Sequence, residues 1–136
     1  MKIRLNAQAI PFLCLLCLIT TLNTGCSQAK IHKVTEEQNG SRIPLKIGDL
    51  VQIELAGNIT TGYTWEIAEN NPDLLQPQGE VEYQAEKTNK VGRGGTFIFS
   101  FKAIAKGNTI LKLIYRRPFE KDVSPIRSFQ LSILVE

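Results

Sequence analysis

From residue 31 to the end of the chain, apolar and polar residues alternate in short runs, and no stretch repeats its apolar positions at helical spacing. Residues 50–55 read Leu-Val-Gln-Ile-Glu-Leu; in residues 63–67, Tyr63, Trp65 and Ile67 alternate with Thr64 and Glu66. Phe97, Phe99, Phe101 and Ala103 share one face of residues 97–103, opposite Ile98, Ser100 and Lys102. Leu111, Leu113 and Tyr115 line one face of 109–115, and Phe129, Leu131, Ile133 and Val135 do the same for the last run. A period of two puts successive side chains on opposite faces of a sheet, so each run is a half-buried strand. Residues 31–35, 43–47 and 81–83 read as further short strands. Short strands at regular spacing, separated by turn residues, predict an all-β chain folded as an immunoglobulin-like antiparallel β-sandwich.

The connections carry turn chemistry. Asn39-Gly40 favours positive φ at both positions, Gly48-Asp49 and Gly107-Asn108 reverse the chain, and Asn71-Pro72 caps one predicted helical turn over 70–75. If successive strands reverse direction, the connections 58–62, 92–95 and 116–125 all fall at one end of the sandwich. That count assumes no further strand within 68–80. Counting backwards, the chain enters the sandwich at the opposite end.

Residues 1–25 read as a lipoprotein-type signal peptide. Lys2 and Arg4 open it, and residues 9–19 form an apolar run too short for a comfortable membrane span. Leu22-Asn23-Thr24-Gly25-Cys26 resembles a bacterial lipidation site, with Asn23 where leucine is usual. Ordinary secretory cleavage, with Cys26 incidental, is the alternative. On the first reading, residues 26–30 are a lipidated tether. Residues 31–136 are then one domain exported to the bacterial cell envelope, anchored to a membrane through Cys26 and facing the periplasm or exterior. Removing 25 of the 136 residues leaves 111. It takes Cys14 and Cys17 with it, so no internal disulfide is expected. Cleavage also removes two of the sixteen basic residues and none of the thirteen acidic ones, lowering the formal charge from +3 to +1. Nucleic-acid binding has no electrostatic support in such a chain. A monomer is expected.

Catalysis fails on inventory. His32 is the only histidine and reads as a solvated residue near a strand edge; Cys26 is the only thiol left after cleavage. No nucleophile therefore has a choice of base, and no ligand spacing suits a metal. Gly92-Arg93-Gly94-Gly95 lacks the strand-to-helix context and following Lys-Ser/Thr of a phosphate loop. The chain is not expected to be an enzyme or to carry a cofactor.

The stretch Asn58-Ile59-Thr60-Thr61-Gly62-Tyr63-Thr64-Trp65 is less ordinary. Two stiff, β-branched threonines precede a glycine where Asn, Asp, Gly or Pro would be usual. Such a loop suits insertion into another protein's cleft. It resembles the Asn-Pro-Thr-Thr-Gly-Tyr/Phe signature, followed by Trp, of chagasin-type inhibitors of papain-like cysteine proteases. Gly92-Arg93-Gly94-Gly95 resembles the family's Gly-x-Gly-Gly loop, and Arg117-Pro118-Phe119 its Arg-Pro-Trp/Phe loop. The resemblance runs from about Ile31 to the C-terminus.

It implies a reversible inhibitor that blocks the protease cleft with three loops. Asn58, Thr60, Thr61, Gly62 and Tyr63 would approach the catalytic residues. Gly92, Gly94 and Gly95 would lay backbone along one side of the cleft. Arg117, Pro118 and Phe119 would engage the other, with the guanidinium free to pair with a carboxylate. Ile59 stands where the family has proline, and Phe119 is the smaller of its two aromatic options. The rival reading is a non-inhibitory immunoglobulin-like lipoprotein for adhesion or envelope assembly, in which these loops are only structural.

Overall fold

The computed structural model describes residues 28–136 apart from Thr88, Lys90 and Val91. Cys26, the expected signal segment and the start of the expected tether lie outside the described residues. Among the described residues nine strands form two packed sheets. They are β1 (Ile31–Thr35), β2 (Arg42–Leu45), β3 (Leu50–Gly57), β4 (Thr64–Glu69), β5 (Leu75–Pro77), β6 (Glu82–Ala85), β7 (Gly95–Ala103), β8 (Gly107–Arg116) and β9 (Arg127–Val135). One sheet runs β1-β3-β7, with β5 and β6 both on the far edge of β7; the other runs β2-β9-β8-β4.

The alternating faces meet where the sequence places them. Val51, Ile53, Leu55, Phe97, Phe99 and Phe101 from one sheet pack against Leu111, Leu113, Phe129, Leu131 and Ile133 from the other, all buried. Trp65, Leu45 and Val34 close the ends and edges of this core. Both prolines that lie within strands, Pro44 and Pro77, sit on edge strands, where a missing N–H disrupts no inner ladder.

Several sequence expectations need correction. The sandwich is not wholly antiparallel: β1 pairs in parallel with β3, and β2 in parallel with β9. The chain crosses from one sheet to the other at residues 36–41, through a short 3-10 turn, Glu36–Gln38, and a tight turn. In that turn only Gly40 has positive φ (81°), whereas Asn39 sits at φ −54°, ψ 129°. With Ser41 N–H donating to Gln38 O at 2.9 Å, this is a type II geometry, not the hairpin type.

The predicted helical turn at 70–75 forms as one turn and goes no further: Asn71 O accepts from Leu74 N at 3.1 Å and from Leu75 N at 2.9 Å. Asn71 Oδ1 accepts from Asp73 N at 3.0 Å, but Leu75 is drawn into the core opposite Ala103 and starts β5. This extra strand leaves the direction count intact. Both β5 and β6 run antiparallel to β7, as two pieces of one edge broken at residues 78–81.

Candidate functional site

Three connections meet at the end of the sandwich where β3, β6 and β8 finish: residues 58–63, 86–94 and 117–126. Call this the upper end. The first connection is built around Asn58. That residue caps the 3-10 turn Ile59–Thr61, its Oδ1 accepting from Thr60 N at 3.0 Å and from Thr60 Oγ1 at 2.6 Å. Thr61 Oγ1 donates to Asn58 O at 2.6 Å. Both threonine hydroxyl protons are therefore committed inside the loop. Gly62 ends the turn at φ +82° with its N–H on Ile59 O, the left-handed geometry that favours glycine. Ile59 opens the turn and is half exposed. A helix's first N–H needs no intrahelical acceptor, so the proline of the resembled signature would fit there.

Asn58 also joins the loop to its surroundings. Its Nδ2 donates to Gly92 O in the second connection at 2.9 Å, and its backbone N–H donates to Tyr115 Oη at 2.8 Å. Tyr115 is buried, stacked on Tyr63 (centroids 5.4 Å apart) and tilted against Trp65 (5.1 Å). Trp65 is 4 % exposed and its Nε1–H reaches Ala56 O at 3.1 Å, so its ring belongs to the core. Tyr63 is half-buried against that aromatic group.

The second connection packs on the first. A Cβ on Gly94 would lie 2.8 Å from the carbonyl oxygen of Gly57, and one on Gly95 would overlap Gln84 O and the Tyr83 ring. These two glycines thus have an internal reason to lack side chains, and Gly95 is buried as the first residue of β7. Gly92 is exposed.

The third connection divides its motif. Arg117 turns inward: Nε donates to Thr61 O at 3.2 Å, Nη1 pairs with Glu120 Oε1 at 3.1 Å, and the guanidinium lies 4.5 Å from the centre of the Tyr63 ring. A guanidinium so engaged clamps the first loop within the protein itself. Pro118 is exposed, and Phe119 is 70 % exposed, the most open large apolar side chain among the described residues. Its ring edge passes close enough to Gly62 that a Cβ there would lie 3.3 Å from Cε1. All eleven predicted site residues lie at this end, although Gly94, Gly95 and Arg117 face the protein itself. Sequence reasoning missed the supporting role of Tyr115. It reads as one more apolar-face residue of β8, and only its position beside the loop marks its hydroxyl as a donor and acceptor for Asn58.

The opposite, lower end holds Asp49, the one charged residue that is buried among those described. Its carboxylate accepts from Lys46 N at 3.0 Å, Lys30 N at 3.1 Å and His32 Nε2 at 3.1 Å. The Lys46 amide does most to hold the Asp49 pKa below its ordinary value, and the Lys30 amide and His32 add to it against the opposing effect of burial. His32 is thus a partner within the fold, not the solvated side chain expected. Among the described residues no cluster of His, Cys, Asp and Glu is arranged to hold a metal ion.

Comparison with known proteins agrees with this geometry. A sequence model described as "Chagasin family peptidase inhibitor I42" matches residues 44–133, a span containing all three connections. Amoebiasin-2 of Entamoeba histolytica is 30% identical over 124 residues, covering 91% of this chain and 95% of the relative. Chagasin of Trypanosoma cruzi is 33% identical over 91 residues, 65% of this chain and 83% of that protein. The crystal structure of the cysteine protease inhibitor EhICP2 from Entamoeba histolytica superposes with a TM-score of 0.73 at 31% identity, covering 80% of this chain and 98% of that one. The chain belongs to the chagasin family of peptidase inhibitors.

Proposed function

We propose that the protein is a reversible inhibitor of papain-like cysteine proteases that fills the active-site cleft with its upper end. One observation carries this reading: three connections from distant parts of the chain are bonded to one another before any partner is present. Asn58 ties the first to the second, and Arg117 ties the third to the first. A surface already held in shape loses little conformational freedom on binding, so more of its contact energy appears as affinity. Ile59 in the first connection and Phe119 in the third supply exposed apolar surface.

The same bonds explain how such a loop avoids being a substrate. A scissile peptide must offer its carbonyl to the oxyanion hole. The Thr61 carbonyl already accepts from Arg117, and Gly62 bends the chain out of an extended path. Were the loop cut, Tyr115 and Arg117 would still hold the two ends together.

Steady-state inhibition of papain with a small peptide substrate tests the proposal. The expected result is full, dilution-reversible inhibition at nearly equimolar protein. A folded protein that leaves papain activity unchanged at a large molar excess would sink it.

The anchoring belongs to the same proposal. Lys30 lies at the lower end, its carbonyl accepting from Leu50 N and its amide held by Asp49. A lipid on Cys26 would thus attach at the end opposite the three loops, through a tether of at most roughly 14 Å. The inhibitory end would then project into the aqueous compartment. Cys26→Ser should release the protein from the membrane fraction; retention there would contradict lipidation.

A further inference from the structure

Ala56, two residues before Asn58, lies where the sheet loses a strand. Parallel pairing of β1 with β3 ends at Thr35 opposite Glu54, and the chain then turns away through Glu36–Gln38. Beyond that point the outer edge of β3 has no backbone partner among the described residues. Two charged side chains take its place, beside the Trp65 Nε1–H that also donates to Ala56 O. Glu36 Oε1 accepts from Ala56 N at 3.0 Å, and Arg127 Nη1 donates to Ala56 O at 2.9 Å, while the same Glu36 oxygen pairs with Arg127 Nη2. A carboxylate facing the N–H and a guanidinium facing the carbonyl reproduce the acceptor and donor of a missing strand. The guanidinium also lies 5.1 Å from the Trp65 ring centre and 5.4 Å from that of Tyr115, whose hydroxyl accepts from Asn58 N.

We infer that Glu36 and Arg127 are positioning residues for the inhibitory loop. As a surrogate strand they fix Ala56, and through Ala56 and Tyr115 they set the path on which Asn58–Gly62 leaves the sheet. Neither residue lies in the three motif loops, and the inference rests on the reading that those loops enter the protease cleft. The pair is substantially exposed, 37% and 43% at the two side chains, so simple charge attraction is screened. What matters is which group faces which backbone atom. Glu36 is held for this task, because Thr35 N and Oγ1 both donate to Gln38 Oε1 and lock the short turn.

The test uses the whole protein and papain, with four variants: Glu36→Ala, Arg127→Ala, Glu36→Gln, and the exchange Glu36→Arg with Arg127→Glu. Inhibition is measured at a temperature where near-UV circular dichroism shows each variant folded, beside amide hydrogen exchange at Asn58 and at Ile53 in the core. Glu36→Ala, which takes from Ala56 N its acceptor, should inhibit about tenfold more weakly, and Arg127→Ala, which leaves Trp65 Nε1–H on Ala56 O, should weaken inhibition by a smaller factor of about threefold. Exchange should quicken at Asn58 more than at Ile53. Glu36→Gln keeps an acceptor for Ala56 N and should stay within about threefold of the parent. The exchanged pair keeps its opposite charges but sets a donor against the N–H and an acceptor against the carbonyl, so it should not recover inhibition. Recovery by the exchanged pair, unchanged inhibition in the alanine variants, or equal quickening at Asn58 and Ile53 would each overturn the inference. If the parent protein itself fails to inhibit, the proposed function falls, and the positioning role is then decided by Asn58 exchange alone.

Discussion

Gly62 shows how one residue sets the shape of the first loop. Its φ of +82° disfavours any L-residue by roughly 1–2 kcal/mol, whereas the space around it is only moderately tight, with Phe119 Cε1 3.3 Å from where a Cβ would sit. Gly62→Ala should therefore strain the turn without disturbing the core. The expected result is inhibition weakened by up to about five- to thirtyfold, with the core amides protected as before; an unchanged inhibition constant would remove the glycine's role. The glycine itself was legible as the residue that closes a connection at a strand junction, where positive φ costs it no strain. The hydrogen bonds of Asn58 and the inward turn of Arg117 were not, because residue type gives a side chain's capacity to bond but not its direction. Arg-Pro-Phe looked the same whether the arginine reached outward or clamped Thr61.

At the scale of elements, the Arg117–Phe119 segment separates a clamp from a contact. Phe119 is 70 % exposed and touches little of its own protein. Phe119→Ala should leave the melting temperature nearly unchanged, yet weaken protease binding by about ten- to a hundredfold if the ring is an anchor in the cleft. Arg117→Ala should act by another route, freeing Thr61 O and the Tyr63 ring face, and so should raise amide exchange at Gly62 along with the inhibition constant. Paired melting, exchange and inhibition measurements separate the two. Identical signatures for both variants would mean that the segment does not divide as described. The strands themselves were readable from their period of two, down to the inward faces of β3, β7, β8 and β9. The pattern marks which face a strand buries but not which strand lies beside it, so the parallel pairings of β1 and β2 stayed hidden. Leu75-Gln76-Pro77 escaped because three residues ending in proline carry no alternation to detect.

For the molecule as a whole, the two ends have different tasks. The upper end presents loops, and the lower end gathers the chain's entry on Asp49. A carboxylate whose pKa is depressed in the folded state stabilises the fold above its unfolded pKa; that contribution disappears as the pH falls through the lower, folded value. Asp49 should thus stabilise the protein fully at neutral pH and lose its contribution only below about pH 3.8, its ordinary value. Melting curves from pH 7 to pH 2 should show a steeper acid loss for the parent than for Asp49→Asn, which should already be less stable at pH 7. Parallel curves would show that the carboxylate does not tie β1 and the β2–β3 turn together. The grouping of the loops at one end was legible from direction counting alone. It held because β5 and β6 share one edge of β7 and run the same way. Asp49 was not legible, since a Gly-Asp pair between strands reads as an ordinary turn.

Occupation of the protease cleft by the upper end is tested most directly by the reactivity of the protease's own catalytic cysteine. Papain is mixed with an equimolar amount of the protein, and the rate at which iodoacetamide alkylates that cysteine is followed by mass spectrometry, with the inhibitor chain weighed in the same spectra. The predicted result is an alkylation rate slowed in proportion to the complex formed, full reactivity on dilution, and an inhibitor of unchanged mass. Alkylation of bound papain at the rate of the free enzyme, or a chain cut between Thr60 and Gly62, would contradict the account.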